Sequence, residues 1–527
     1  MIRSASTSIV AALLAAGSPA QAPAPPRTVA ESSDYEATSR AAEVAEVVQT
    51  CTRLAYGRRL TVTVLGQTTR GQDIQLVRAA RSDANDAEQL RVVVIANIHA
   101  GEVEGKEAVQ ELIREIALGG HAGLLRRCTL WFVPIYNVDG NEAAKLGNRR
   151  GQNGPDVVGE RANGRGLDLN RDFVKADAPE TRALLELFEQ VDPHLFMDLH
   201  TTNGSHHGYH LTYAPSLNPN VDPAVDRFTR SMLARTRAAL QQRAIETFDY
   251  GNFTTRDWDG GGAPASASGE RGWFTYDSRA RYGINYFGLR NRFSVLSEAY
   301  SYADFETRIR ATKAFVLGVV RDLAANEAAA RAAIRAADRA VTAPNEPVWF
   351  GTATAFAPPE QLPVLVGEVQ RIDRDGDLPT RYARVDESSP ETMAVVRRFR
   401  ASSLRRLPAA WAVLNPSEAV IDRLRLHGIK FRSLQEETTA RARQFRVDKK
   451  RKPKRPYQGH QALVLEGAWR EATQHTVPAG ALVVPANQRL ARVAATLLEP
   501  LSEDGLSTWN FFESQTDEVF PVLRLVH

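Results

Sequence analysis

The chain has 527 residues, 43% of them hydrophobic, enough for a large core and more than one domain. Its 66 basic and 62 acidic residues nearly cancel to a net +4, which argues against a nucleic-acid partner. Past the N-terminus no apolar run reaches the roughly 20 residues that a membrane-crossing helix needs, so no transmembrane anchor is expected in the mature chain.

Residues 1–22 read as a cleavable export signal. Arg3 supplies the positive start, "IVAALLAA" (9–16) the apolar stretch and "AQA" (20–22) the small-x-small cleavage site, which predicts a periplasmic or extracellular protein. Residues 23–45, opening with "PAPPRTVAESSD", are expected to be flexible. From about 60 to 325, within a domain read as residues 46–340, short apolar runs alternate with helical patterns. "RVVVIANI" (91–98), "CTLWFVPIY" (128–136), "HLFMDL" (194–199) and "FSVLS" (293–297) are predicted buried strands. Helices are predicted over 103–118, 179–190 (with Pro179 at the first helical position) and 222–245. This alternation implies an α/β fold, a mixed and mainly parallel sheet with helices on both faces. Such sheets carry their sites beyond the carboxyl ends of strands, and His99 and His200 each stand one residue past an apolar run.

An Ala- and Arg-rich stretch, 304–340, predicts one long helix that "TAPNEP" (342–347) breaks. Residues 341–527 then change character, with short apolar segments between Pro and Gly turns. They predict a mainly β C-terminal domain with some helix around 391–426. The basic run "RVDKKRKPKRPYQGH" (446–460) could touch an anionic surface, but a solvated, mobile loop is the expectation. Cys51 and Cys128 could pair in an oxidising compartment or be two separately buried thiols.

His99-x-x-Glu102 in "NIHAGEVEG" is a weak signal alone. Hydrolytic zinc usually takes three protein ligands and keeps one position for water, so a third ligand should come from elsewhere. "DLHTTNG" offers His200 at a strand end. The nearby "SHHGYH" adds His206, His207 and His210 as competitors that more plausibly line the site or meet solvent. "RANGRGLDLNRDF" (161–173) packs Arg161, Asp168, Asn170 and Arg171 into one loop. Asn170-Arg171 could grip a carboxylate, because a guanidinium offers paired donors matched to two oxygens. Asp168 could hold a ligand histidine in one tautomer. "FSVLSEAYSY" ends a strand at Glu298, where a carboxylate could take a proton from an activated water. Each residue also has a bland reading, from capping to a core histidine.

Together these stretches resemble the zinc carboxypeptidase family, the carboxypeptidase A-like metallopeptidases. The resemblance covers roughly residues 50–325, through "HAGEVEG", "LDLNRDF", "DLHTTNG" and "LSEAYSY" in that order, with "LGQTTRGQDIQLV" (65–77) and "NVDGNE" (137–142) beside them. It implies one zinc ion held by His99, Glu102 and His200, and Glu298 as general base and acid. It also implies that Asn170 and Arg171 bind the substrate's free C-terminal carboxylate, that Arg161 polarises the scissile carbonyl, with Arg149 and Arg150 as alternatives, and that Asp168 supports a zinc histidine. The tyrosine that covers the substrate in such enzymes has three candidates, Tyr276, Tyr282 and Tyr286, and Tyr286 is taken as the substrate-binding one. "NRD" where the family has "NRN", and a short interval from Asn170 to His200, put the substrate class in doubt. The partner implied is a peptide or peptide-like substrate with a free carboxylate. Two other functions remain open: the same site acting on peptidoglycan peptides or N-acyl amino acids, and a non-catalytic binding protein on a peptidase fold.

Overall fold

The computed structural model describes residues 24–81, 83–202, 204–253 and 271–526. The export-signal reading of residues 1–22 falls outside them. Eight strands form the central sheet in the order Leu60–Gln67, Asp73–Ala79, Cys128–Val133, Leu90–Ala96, Leu195–Thr201, Phe293–Ala299, Leu211–Pro215 and Thr247–Asp249. The four middle strands run parallel and are joined on each side through an antiparallel pairing, while Leu211–Pro215 pairs in parallel with the edge strand Thr247–Asp249. Parallel strands of this kind are covered on both faces, which is why Val92 to Ile95 are apolar without alternation and fully buried.

The two covering layers can be read from one strand. Successive side chains alternate between sheet faces. Phe196 meets Phe188 and Phe287, from the helices Pro179–Val191 and Gly283–Gly288. Leu199, three residues on and therefore on the opposite face, lies under the helix Glu104–Ala117. There a Cβ on Gly105 would stand 2.8 Å from the Leu199 side chain, so glycine is what lets the helix come this close. Pro179 does open its helix. The stretch expected as one helix over 304–340 is two, Phe305–Ala325 and Glu327–Thr342. They part at Asn326, whose side chain bonds back to the Asp322 carbonyl.

The expectation of a flexible segment over 23–45 is corrected. From residue 24 the chain lies docked on the helix Glu104–Ala117. Buried Glu107 accepts hydrogen bonds from the Thr38 hydroxyl, the Ser39 amide and the Ser39 hydroxyl at 2.9, 2.8 and 3.0 Å. A short helix, Val29–Ser32, is closed by a capping box between Thr28 and Glu31. A buried carboxylate needs such donors, and they come from a segment whose composition alone looks unstructured.

The C-terminal part is mainly β, with long hairpin strands at Glu360–Ile372 and Arg381–Val396. Helix expected around 391–426 is confined to Glu418–Leu426, capped by Ser417. Residues 391–396 and 399–406 are extended. A buried helix at Ala491–Leu498 has no counterpart in the sequence reading. This part does not hang from a linker. Gly272–Phe274 pairs in parallel with Arg381–Val396, and one apolar cluster runs from Val320 and Ile334 to Trp411 and Leu497. Cys51 and Cys128 are both buried free thiols.

Candidate active site

Three neighbouring parallel strands, Leu90–Ala96, Leu195–Thr201 and Phe293–Ala299, deliver the site to one edge of the sheet. Beyond the first, Asn97 adopts a left-handed φ of 62°, and its side-chain amide donates to the carbonyls of Ala100 and Glu102. The Glu102 amide closes the turn on the His99 carbonyl at 2.9 Å. A single turn thus explains the spacing of three, because it brings both side chains to one side. His200 ends the second strand, and Glu298 stands opposite it in register on the third.

His99 Nδ1 lies 3.1 Å from Glu102 Oε1, and His200 Nδ1 lies 2.8 Å from Glu102 Oε2. One ligating atom from each of the three falls within 4.8 Å of the others, and all three side chains are buried. The outer ring nitrogens face carboxylates: His99 Nε2 is 3.0 Å from Asp168 Oδ1, and His200 Nε2 is 2.9 Å from Asp198 Oδ2. The second contact is an ion-pair distance without hydrogen-bond alignment. Inner nitrogens converging on a carboxylate, with outer nitrogens held from behind, fit a three-ligand zinc site with one position left over.

Burial works against ionisation of Glu102, but His99, Arg149 and His200 outweigh it and hold its carboxyl well below the usual range. Asp168 follows the same pattern, with burial overcome by His99, Arg161 and Arg171. Glu298 goes the other way. Burial, reinforced by Glu102, pushes its carboxyl up to about 8 despite the opposing charge of His200.

The loop "RANGRGLDLNRDF" wraps this core. Arg161 reaches Asp168 Oδ2 through Nε and Nη2 at 3.1 and 2.9 Å and Glu102 at 3.5 Å, with its side chain 47% exposed. Arg149 lies closer to Glu102, at 2.8 Å, but is fixed by the Thr201 and Thr202 carbonyls. Asn170 is buried and accepts from the Gly283 amide at 3.0 Å. The Arg171 guanidinium stacks 4.1 Å over the Tyr282 ring.

Tyr286 is corrected as a substrate-binding residue. It is 1% exposed; its hydroxyl donates to His427 Nδ1 at 2.7 Å and accepts from Arg290. It lies one turn into the helix that Tyr282 caps, and so points into the core. The tyrosines grouped at the site are Tyr250, Tyr276 and Tyr282, with ring centroids 5.6 and 5.3 Å apart in sequence order. Burial, with Glu298 adding to it, holds the Tyr250 and Tyr276 hydroxyls above their usual range. His207 packs on Tyr300 and Trp273, and His210 accepts from the Glu246 amide, so neither joins His200.

Sequence reasoning missed three contributors. Asp198 was legible, since a residue two before His200 on a strand shares its face. Gln458 and Tyr457 were not. The basic loop expected to be solvated ends in a turn that docks here, and Gln458 Oε1 accepts from the Asp168 amide at 2.8 Å across 290 positions of chain.

A zinc carboxypeptidase family profile matches residues 47–291. Human carboxypeptidase D is 33% identical over 113 residues, 18% of this chain and 8% of its own length. Carboxypeptidase 2 of Trichophyton equinum is 22% identical over 453 residues, 83% of this chain and 77% of its own. Among solved structures, a Pseudomonas aeruginosa metallo-carboxypeptidase in complex with (2-guanidinoethylmercapto)succinic acid is 22% identical. The likeness covers 56% of this chain and 70% of that one, with a TM-score of 0.40. The chain therefore spans a small fraction of carboxypeptidase D and about three-quarters of carboxypeptidase 2. Through residues 47–291, the chain is thus similar to the zinc carboxypeptidase family.

Proposed function

We propose that the protein is an exported metallocarboxypeptidase that removes C-terminal residues from peptides. The observation that carries this reading is the convergence of both Nδ1 atoms on Glu102 beside the Asn170-Arg171 pair. One zinc ion held by His99, Glu102 and His200 would supply the Lewis acidity that lowers a water's pKa and polarises a carbonyl. In its ionised form, Glu298 takes a proton from the attacking water as the oxygen–carbon bond forms. It returns that proton to the amide nitrogen as the carbon–nitrogen bond breaks. Arg161, held on Asp168 beside Glu102 and more exposed than Arg149, faces the developing oxyanion, an electrostatic stabilisation worth about 3–4 kcal/mol. Asp168 keeps the His99 ring oriented. Asn170 and Arg171 receive the substrate's terminal carboxylate, which makes cleavage exopeptidic. No helix among the described residues is long and apolar enough to cross a membrane.

Mass spectrometry of products from peptides with free and amidated C-termini tests this. Single C-terminal residues should leave only the free peptides, and a chelator should stop the release. Equal cleavage of both sets would sink the carboxylate clamp.

A further inference from the structure

The clamp around Arg171 is bordered by the C-terminal part of the chain. Beyond the strand Thr438–Arg451, the chain reverses at Tyr457-Gln458-Gly459-His460. Tyr457 and His460 exchange amide–carbonyl hydrogen bonds of 2.7 and 3.0 Å, and Gln458 and Gly459 take φ of 51° and 82°. This is a two-residue reversal with both central residues left-handed, a rigid shape. It is fastened on both flanks. Gln458 holds the Asp168 amide at 2.8 Å, and His460 Nε2 meets Asp177 Oδ2 at 2.7 Å. The turn therefore sits on the backbone of the residue that orients His99, one helical turn from Arg171.

Tyr457 is the member of this turn that anchoring does not explain. It is 41% exposed, although its ring stacks 6.3 Å from Trp509 and lies 5.4 Å from the Arg281 guanidinium. Its phenol is an electrostatic neighbour of the same Arg171 that stacks on Tyr282. A phenol beside a guanidinium, open to solvent, has a donor to offer an incoming anion.

We propose that the Tyr457–His460 turn is the outer wall of the pocket for the substrate's terminal residue, with the Tyr457 hydroxyl donating to the carboxylate that Arg171 holds. This rests on the carboxypeptidase reading and deepens it. The wall stands beside the carboxylate clamp, so the C-terminal part of the chain adds a donor to the group that Arg171 holds.

The test uses the full-length zinc-loaded enzyme, Tyr457→Phe, and two competitive inhibitors, a released product amino acid and its carboxamide. Tyr457→Phe should weaken inhibition by the amino acid about 10-fold and raise KM for free-carboxylate peptides alike, the loss of one hydrogen bond to a charged group. Inhibition by the carboxamide, kcat and the thermal midpoint should stay put. If the wild type is inhibited equally by acid and amide, the clamp fails and this role with it. A wild-type preference for the acid that Tyr457→Phe keeps unchanged overturns the role of Tyr457 alone. So does a variant that loses affinity for both inhibitors to the same degree, because that is what a merely structural tyrosine would do.

Discussion

Replacing Asp504 by Ala should destabilise the protein by about 4–8 kcal/mol. Asp504 is 3% exposed and accepts from the Arg281 amide, from Arg281 Nε at 3.0 Å and Nη2 at 2.8 Å, and from Trp509 Nε1 at 3.0 Å. The Arg281 side chain is 7% exposed, so the variant leaves a buried guanidinium unpaired. Breaking a buried pair from one side costs about 3–5 kcal/mol, and the orphaned indole and amide donors add about 1–3 kcal/mol. At about 2.1 cal/mol/K of unfolding entropy per residue, a chain of this size loses about 1 °C of Tm per kcal/mol, or about 4–8 °C here. Calorimetry and urea unfolding at one pH measure both quantities. Arg281 precedes Tyr282, which stacks on Arg171, so KM for free-carboxylate peptides should rise in the same variant. Removing both charges, with Arg281→Met and Asp504→Leu together, should recover most of the stability, because well-packed apolar pairs replace buried ion pairs at little cost. A loss under about 1 kcal/mol for Asp504→Ala, or a double variant no more stable than the single one, would refute this account.

Glu298→Gln should keep the metal and the thermal midpoint while kcat falls by about 10²–10⁴, the range of a lost general base; a fall under tenfold removes Glu298 from the proton path. Dialysis against a chelator should abolish turnover and lower Tm, and one equivalent of zinc should restore both, since binding to the folded state alone stabilises it. His200→Ala should bind zinc substoichiometrically by metal analysis, whereas His207→Ala should bind it normally. Stability should also fall in acid. Burial, together with Arg290 and Arg423, brings His427 down to about 3 from an ordinary 6.5, and its Nε2 donates to the Val174 carbonyl. A folded-state value below the unfolded one means that this stability is present above pH 6.5 and drains away as pH falls toward 3. The slope is about 1.4 kcal/mol per pH unit for one proton. His427→Asn should flatten the urea-stability profile in that window by about one proton's worth, and an unchanged slope would exclude this histidine.

Much of the site was legible because its parts are local. Val92 to Ile95 announce a strand, Asn97 to Glu102 a turn past its end, and those two stretches alone place His99 and Glu102 on one side. His200 and Glu298 each end their own apolar run, and parallel neighbours necessarily share a carboxyl edge. What failed to be legible depends on contacts between distant segments. Tyr286 and Tyr282 have similar neighbours in the chain, and only packing shows that one faces Phe173 and His427 and the other faces Arg171. The segment after residue 23 reads as unstructured until buried Glu107 demands its donors. The basic loop reads as solvated until Gln458 reaches Asp168. Strand ends and turns are properties of a few consecutive residues, so composition and spacing suffice for the metal-binding half of the site. The far wall of the pocket is made where two distant surfaces meet, and that meeting depends on the burial of a core common to both parts of the chain.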